Sequence, residues 1–408
     1  VTQHREAGWH VLAILSVLMG FASISTDLYL PAMPAMGRTL HADAGAIELT
    51  VSGYLIGFSV GQLLWGPISD RYGRRGPVAI GLVLFIIGSA GCALSASAPA
   101  LVGWRVVQAV GACAGVTLGR AMVRDLYEGD HAARMLSTLL TVMAIAPLLG
   151  PSLGGQILAL AGWRAIFWTL VGIGTMTLSA LFVLPETLPP TRRNREPLGR
   201  AVAAYVMLLQ HRQLMLYAGA SGFFYGGMFA YIAGSPFAFI SFYHVRPSLY
   251  GMLFGAGIIG IMAANLINAR LVTRVGIAVL LRAGTSGAAL GAILLAIDAR
   301  TGWGGLAGLA LPLFVFIGVT GFIVANSIAG VLGFFPARAG AASALVGAMQ
   351  YGMGIAGSAL VGAFADGTPW PMGWVIALLG IGSALCAWAL SSAPPITHPA
   401  TAGLAEGR

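Results

Sequence analysis

Twelve stretches of roughly 20 mostly apolar residues, each long enough to cross a bilayer as a helix, follow one another along this chain of 408 residues. Their approximate limits are 10–30, 47–66, 77–96, 99–121, 135–158, 164–184, 214–238, 250–269, 277–297, 304–330, 341–364 and 371–391. In lipid every backbone N–H and C=O must be satisfied by protein, so only helices and closed barrels can span. A barrel would show short segments of alternating polarity, whereas these runs are continuous. The chain therefore reads as an all-α polytopic membrane protein with twelve transmembrane helices in two six-helix halves. Only 9% of its residues are charged, against about 25% in soluble domains. Its 58 glycines suit helices that pack closely in lipid. The first span is too long for the apolar region of a signal peptide. Ala32 and Ala35 follow it as small residues, but prolines flank the place.

The longest polar segment runs from Pro185 to Arg212 and contains PETLPPTRRNREPLGR. It divides the chain into an N-terminal six-helix bundle (1–190), a central loop (191–212), a C-terminal six-helix bundle (213–392) and a tail (393–408). Arginine placement sets the expected orientation. With the N-terminus inside, Arg71, Arg74, Arg75, Arg120, Arg124, Arg134, Arg270 and Arg274 and the central-loop arginines fall on the cytoplasmic side. Only Arg38, Arg164, Arg246 and Arg300 fall outside. The positive-inside rule then puts both termini in the cytoplasm.

The formal charge of +9 comes with no lysine, and the arginines are spread over short loops. Nucleic-acid binding is not expected. Cys92, Cys113 and Cys386 lie singly in apolar spans, and the histidines fall in loops, tails or span ends. Neither shows metal-ligand spacing, so no metal and no cofactor are expected. No nucleophile–base pair suggests an enzyme.

Ionisable residues within spans are candidate functional groups. Asp27 sits near the outer end of the first span in STDLYLPAMP, and Arg105 sits about two turns into the fourth, a spacing judged from about 3.6 residues per turn. Asp27 reads either as a proton carrier opposed by Arg105 or as a helix cap that pairs with Arg105. Glu48, at the start of span 2, reads as an interfacial acid at a helix N-terminus or as a second coupling carboxylate. Gln108 lies one turn from Arg105 on the same face. It either meets substrate or holds Arg105 in place. Tyr54, Tyr225, Phe229, Gln350 and Tyr351 are further candidates for a cavity lining, with ordinary packing as the alternative. Asn265, Asn268 and Asn326 read as interhelical glue.

Between spans 2 and 3 lies Gly66-Pro67-Ile68-Ser69-Asp70-Arg71-Tyr72-Gly73-Arg74-Arg75. Gly73 suits a tight turn, and Asp125 after span 4 is a plausible partner for Arg74. A weaker echo, Thr273-Arg274-Val275-Gly276, occupies the matching place in the second half. Span 5 carries Gly150-Pro151-Ser152-Leu153-Gly154-Gly155, in which the proline bends the helix and the glycines permit a close crossing.

The loop resembles the signature loop of the major facilitator superfamily of membrane transporters. LVGWRVVQAVG around Arg105 is similar to that family's span-4 motif, with Ala109 in place of a glycine. Gly150, Pro151, Gly154 and Gly155 resemble the motif of its drug-exporting antiporters. With STDLYLPAMP and GWRAIFW–PETLPP, the order of motifs resembles the bicyclomycin/chloramphenicol-resistance (Bcr/CflA-type) branch of drug:proton antiporters. The resemblance implies two six-span repeats around a midplane site and export of small drugs from a bacterium across its inner membrane. It also implies a proton-coupling role for Asp27 and Arg105, and a gate role for the loop residues Gly66, Asp70, Arg71, Gly73, Arg74 and Arg75 with Asp125. The expected ligands are a drug, protons and membrane lipids, with the chain acting as a monomer. A proton-coupled exporter of a small metabolite (amino acid, dipeptide or sugar) would share every motif.

Overall fold

The computed structural model describes residues 9–126, 129–184, 186–189, 191, 193, 207–334 and 339–390. The side chains of 9, 10, 12, 124, 129–134, 136–138, 140–144, 339–341 and 344 are excepted. Arg192, Arg195, Arg200 and the tail 393–408 lie outside these residues.

Apolar runs of this length leave the backbone no partners but its own, and the described residues form helices without a strand. In the first half these are α1 (Trp9–Asp27), a 3-10 turn (Leu30–Ala32), α2 (Met33–Leu40), α3 (Ala44–Tyr72), α4 (Arg75–Leu94), α5 (Ala98–Leu126), α6 (Gly129–Ala161) and α7 (Trp163–Leu181). In the second half, α8 (Arg212–Pro236) runs into a π turn (Phe237–Phe242). There follow α9 (Pro247–Val275), α10 (Ile277–Thr301), α11 (Gly305–Gly318), α12 (Thr320–Phe334), α13 (Ala339–Ala363) and α14 (Trp370–Trp388). Among the described residues, eleven helical segments are long and apolar enough to cross a membrane. The fifth expected span lies in the 33-residue α6, whose described apolar part is Ile145–Ala161. Large apolar side chains such as Leu63, Leu160 and Met176 point outward, as a lipid-facing surface requires. One end of the molecule carries the Gly66–Arg75 loop and is called here the loop face. The other carries α2 and is called the α2 face.

The span limits differ from expectation where local chemistry intervenes. The first span ends at Asp27 rather than residue 30, because Pro31 and Pro34 each restart the chain in a new helical turn. The tenth span is two helices rather than one. They part at Val319, where the Thr320 hydroxyl donates to the Ile317 carbonyl at 2.5 Å and competes with the backbone ladder. Arg212, assigned to the central loop, already begins α8.

Small residues set the packing. Gly53, Gly57 and Gly61, each four apart, lay α3 on α5, where a Cβ at Gly53 or Gly61 would come within 3 Å of Val102 or Cys113. Between the halves, α3 lies along α13 and α6 along α9. Their closest approaches gather toward the α2 face. Gly45 meets Gly362, Gly155 meets Pro247, Gly251 meets Pro151 and Ser152, and the Ser52 and Ser358 hydroxyls share a hydrogen bond of 2.8 Å. The two loops that echo one another in sequence are capped alike. Gly73 ends α3 at φ +97° and Gly276 ends α9 at φ +88°, backbone conformations that favour glycine.

Candidate functional site

Below the seal on the α2 face lies a cavity of about 250 Å³, lined by residues of both halves. From the first half come Thr26 and Asp27 of α1, Tyr54 and Phe58 of α3 and Pro147 of α6. From the second come Phe229 and Tyr231 of α8, Phe254 and Ile258 of α9, Ile317 of α11 and Tyr351 of α13. Aromatic rings bridge the halves, with Phe58 and Tyr351 centroids 5.1 Å apart and Phe229 and Tyr351 6.3 Å apart. The lining is mostly hydrocarbon, broken by a few hydroxyls and one carboxylate. It suits an apolar ligand with a few polar groups.

That carboxylate belongs to Asp27, which is 5% exposed. Among the described residues it forms no hydrogen bond and no ion pair. The expected cap or pairing with Arg105 is therefore not made. Arg105 is buried elsewhere. Its guanidinium lies between the rings of Tyr29 and Tyr54, 4.2 and 4.3 Å from their centroids. Its Nη1 donates to the Ser25 carbonyl at 2.9 Å and to Gln108 Oε1 at 2.5 Å, while Nε and Nη2 have no partner. The rings are themselves fixed, Tyr29 to the Thr50 hydroxyl at 3.1 Å and Tyr54 to the Ser25 hydroxyl at 2.6 Å. Ring faces carry partial negative charge and attract a cation, so the sandwich replaces the expected carboxylate.

The cavity candidates separate accordingly. Tyr54, Phe229 and Tyr351 line it. Gln108 does not. It stands behind Arg105, donating to the Ser89 hydroxyl at 2.8 Å, because both its amide groups are used within the first half. Tyr225 packs behind Phe229 at 6.2 Å, and Gln350 is buried outside the lining. Asn326 donates to Asn268 at 2.6 Å, joining α12 to α9. Phe58, Tyr231 and Phe254 join the lining unannounced, since their sequence signal is that of any aromatic in an apolar span.

The span-5 motif forms the wall behind Asp27. Gly150 approaches the Asp27 side chain, Gly154 the Leu28 carbonyl, and Gly155 the start of α9 in the other half. α6 thus touches α1 at its acid with one face and the opposite half at its seal with another.

At the loop face, Arg74 turns inward. Nε donates to Asp125 at 2.8 Å, and Nη1 to Asp70 at 2.6 Å and to the Ser69 hydroxyl at 2.7 Å. Burial opposes its charge, but the hydrogen bonds and charges of Asp125 and Asp70 outweigh that and raise its pKa. Arg71 and Arg75 turn away, toward Tyr72 and Phe182. Sequence reasoning missed Glu186, whose carboxylate accepts from the backbone N–H groups of Arg74 (2.8 Å), Arg75 (3.2 Å) and Leu188 (3.0 Å). Burial raises its pKa, but these N–H donors and Arg193 prevail and hold it below the usual range. The signal was present, because an acid that follows a span directly is placed to cap a neighbouring helix N-terminus. A Cβ at Gly66 would meet open space, and the Gly66 carbonyl accepts from the Ser69 hydroxyl at 2.9 Å.

A two-half bundle of spans around a shared central cavity is the architecture of secondary transporters. The model of the Major Facilitator Superfamily matches residues 15–357, and the chain belongs to that family of membrane transporters. An uncharacterised MFS-type transporter, YdgK of Bacillus subtilis, is 35% identical over 92% of this chain and 96% of its own. The bicyclomycin resistance protein homolog of Haemophilus influenzae is 28% identical over 93% and 95%. Multidrug resistance protein D of Escherichia coli is 26% identical over 94% and 96%. These likenesses support the bicyclomycin/chloramphenicol-resistance branch. Among solved structures, the nucleoside transporter NupG superposes with a TM-score of 0.74 at 17% identity, covering 93% of this chain and 98% of that one. A bacterial homolog of the lysosomal transporter Spinster gives 0.72 at 15%, covering 96% and 95%. At such identity these two speak for the fold.

Proposed function

We propose that this transporter exports small, largely apolar antibiotics in exchange for protons, with both termini and the loop face in the cytoplasm. The observation that carries the reading is an unpaired carboxylate, Asp27, in the wall of an apolar, aromatic cavity shared by the two halves. An acid without a counter-charge is sensitive to whatever enters beside it. A proton neutralises it. A drug that displaces water or carries positive charge changes the balance between its charged and neutral forms. Each ligand then biases the two access states, and linkage makes the bias mutual. With the halves sealed toward the α2 face, the described geometry suits the inward-facing member of an alternating-access pair. Arg105, held by rings rather than by Asp27, keeps the first half rigid while leaving the acid free to titrate.

A sugar or dipeptide would need many hydrogen-bonding partners, and this lining offers few. The drug reading is therefore preferred to the metabolite exporter. The test is drug accumulation in efflux-deficient bacteria, over a panel of chloramphenicol- and bicyclomycin-like compounds, with and without an uncoupler. Wild type is expected to lower accumulation only while the proton gradient stands, and Asp27→Asn to behave as the empty strain. Uncoupler-sensitive export by Asp27→Asn would remove Asp27 from the coupling path. No export of any compound by membrane-inserted wild type would remove the drug reading.

A further inference from the structure

We propose that Glu48 is a second proton-binding site, set in the seal between the halves, and that release of its proton opens the α2 face. Sequence position suggested an acid at the membrane interface, stabilised by a helix N-terminus. The geometry differs. Asp43 already caps α3, its carboxylate accepting from Ala46 N at 2.7 Å. Glu48 lies further in, is only 3% exposed, and its Oε2 has no hydrogen-bond partner.

The side chain points into a small void of about 10 Å³, close to the lower limit for one water molecule. The void is walled by the second half, with Gly234 of α8, Phe237 of the π turn, Val361 of α13, Ala365 in the loop after it, and Met372 of α14. The Gly45–Gly362 approach lies beside it, where a Cβ on Gly362 would stand 3.5 Å from that of Glu48. The ionisable groups that face it are Asp43 on its own helix and Asp366 in the loop after α13, both acidic. Asp366 is occupied with Thr368, at 2.9 Å to its N–H and 2.7 Å to its hydroxyl. The parts of α8, α13 and α14 at the void offer no cation.

A neutral acid fits this seam as a compact polar filler. A carboxylate ion would sit without a donor between two like charges, and the simplest relief is to part the halves and admit water. The seal is then closed with its proton bound and opens where water can take it. Asp27 lies in the cavity wall and can answer to the drug. Glu48 lies in the seam and answers to the opening itself. By linkage, one proton changes the closed-to-open ratio by up to about tenfold per pH unit.

The test needs no substrate, so it is read independently of the drug reading. Spin labels go on Thr39→Cys and Ala363→Cys, exposed positions on either side of the seal, in a chain carrying Cys386→Ala. Their separation is measured by pulsed EPR in lipid nanodiscs at about pH 5.5 and about pH 8.5, values chosen to bracket release of a proton from a buried acid. The otherwise wild-type chain is expected to shift to longer distances at the higher pH. Glu48→Gln, the permanent neutral mimic, should keep the short distance at both, while Asp27→Asn should still shift. A pH-independent distance without either substitution would overturn the proposal. So would a shift that survives in Glu48→Gln, or one that disappears in Asp27→Asn alone.

Discussion

Arg105 is the costliest residue of the first half to bury and the one with the least conventional compensation. A desolvated guanidinium over a ring gains about 2 kcal/mol or more, and here two rings share it. Lysine has neither the flat face nor the fork. Arg105→Lys is therefore expected to lower the thermal midpoint in detergent as well as to abolish export, which fluorescence-detected size exclusion after heating would show. Gln108→Leu should cost about 1–3 kcal/mol, since it strips an acceptor from a cation that already has two orphaned donors. An unfolding curve unchanged by it would contradict the supporting role of Gln108. Asp27 and Arg105 were legible in the sequence because a charge in an apolar run stands out. Their separation was not legible, nor was the cradle. Ser25 comes from α1, Tyr29 from the start of the 3-10 turn after it, and Ser89, which holds Gln108, comes from α4. Only the tertiary fold brings such ordinary residues to one guanidinium.

On the scale of the helix, α6 joins two tasks. Its glycines bring it against Asp27 and Leu28 on one side and against Pro247 on the other. Gly154→Ala would drive a methyl into the Leu28 carbonyl, and such overpacking typically costs about 1–3 kcal/mol. Loss of both stability and export is expected. Gly66→Ala adds its methyl to open space and should leave thermal midpoint and export within error of wild type. The pair would show whether the glycines of the two motifs serve packing, as argued, or only backbone flexibility. The sequence announced that α6 packs tightly, because glycine leaves room for a close approach. It was silent on the partner helices. It was equally silent on the break at Val319, where the decisive event is one hydroxyl competing for one carbonyl.

Across the whole molecule, Glu186 anchors the start of the segment linking the two halves to the Arg74–Arg75 turn of the first half on the loop face. Its pKa is lower in the folded protein than the ordinary value of 4.5, so its contribution is complete above that value and is lost as pH falls through the lower folded one. Wild type should lose thermal stability on acidification from about pH 6 to about pH 3, and Glu186→Gln should lose less over the same interval while starting lower. Equal acid sensitivity of the two would argue against the cap. The twelve-span plan was legible because the bilayer imposes one length on every crossing. The contacts between halves were not, since they rest on which face each helix turns.

Gly73 and Gly276 make the same joint twice, yet only the first is crowded. A methyl at Gly73 would strike Glu186 and Arg193, while around Gly276 nothing stands within 4 Å. For imaging this is an opportunity. A small rigid protein spliced into the Arg274–Gly276 turn would ride on the second half as an alignment mark, while the same insertion at Gly73 would pry the clamp apart.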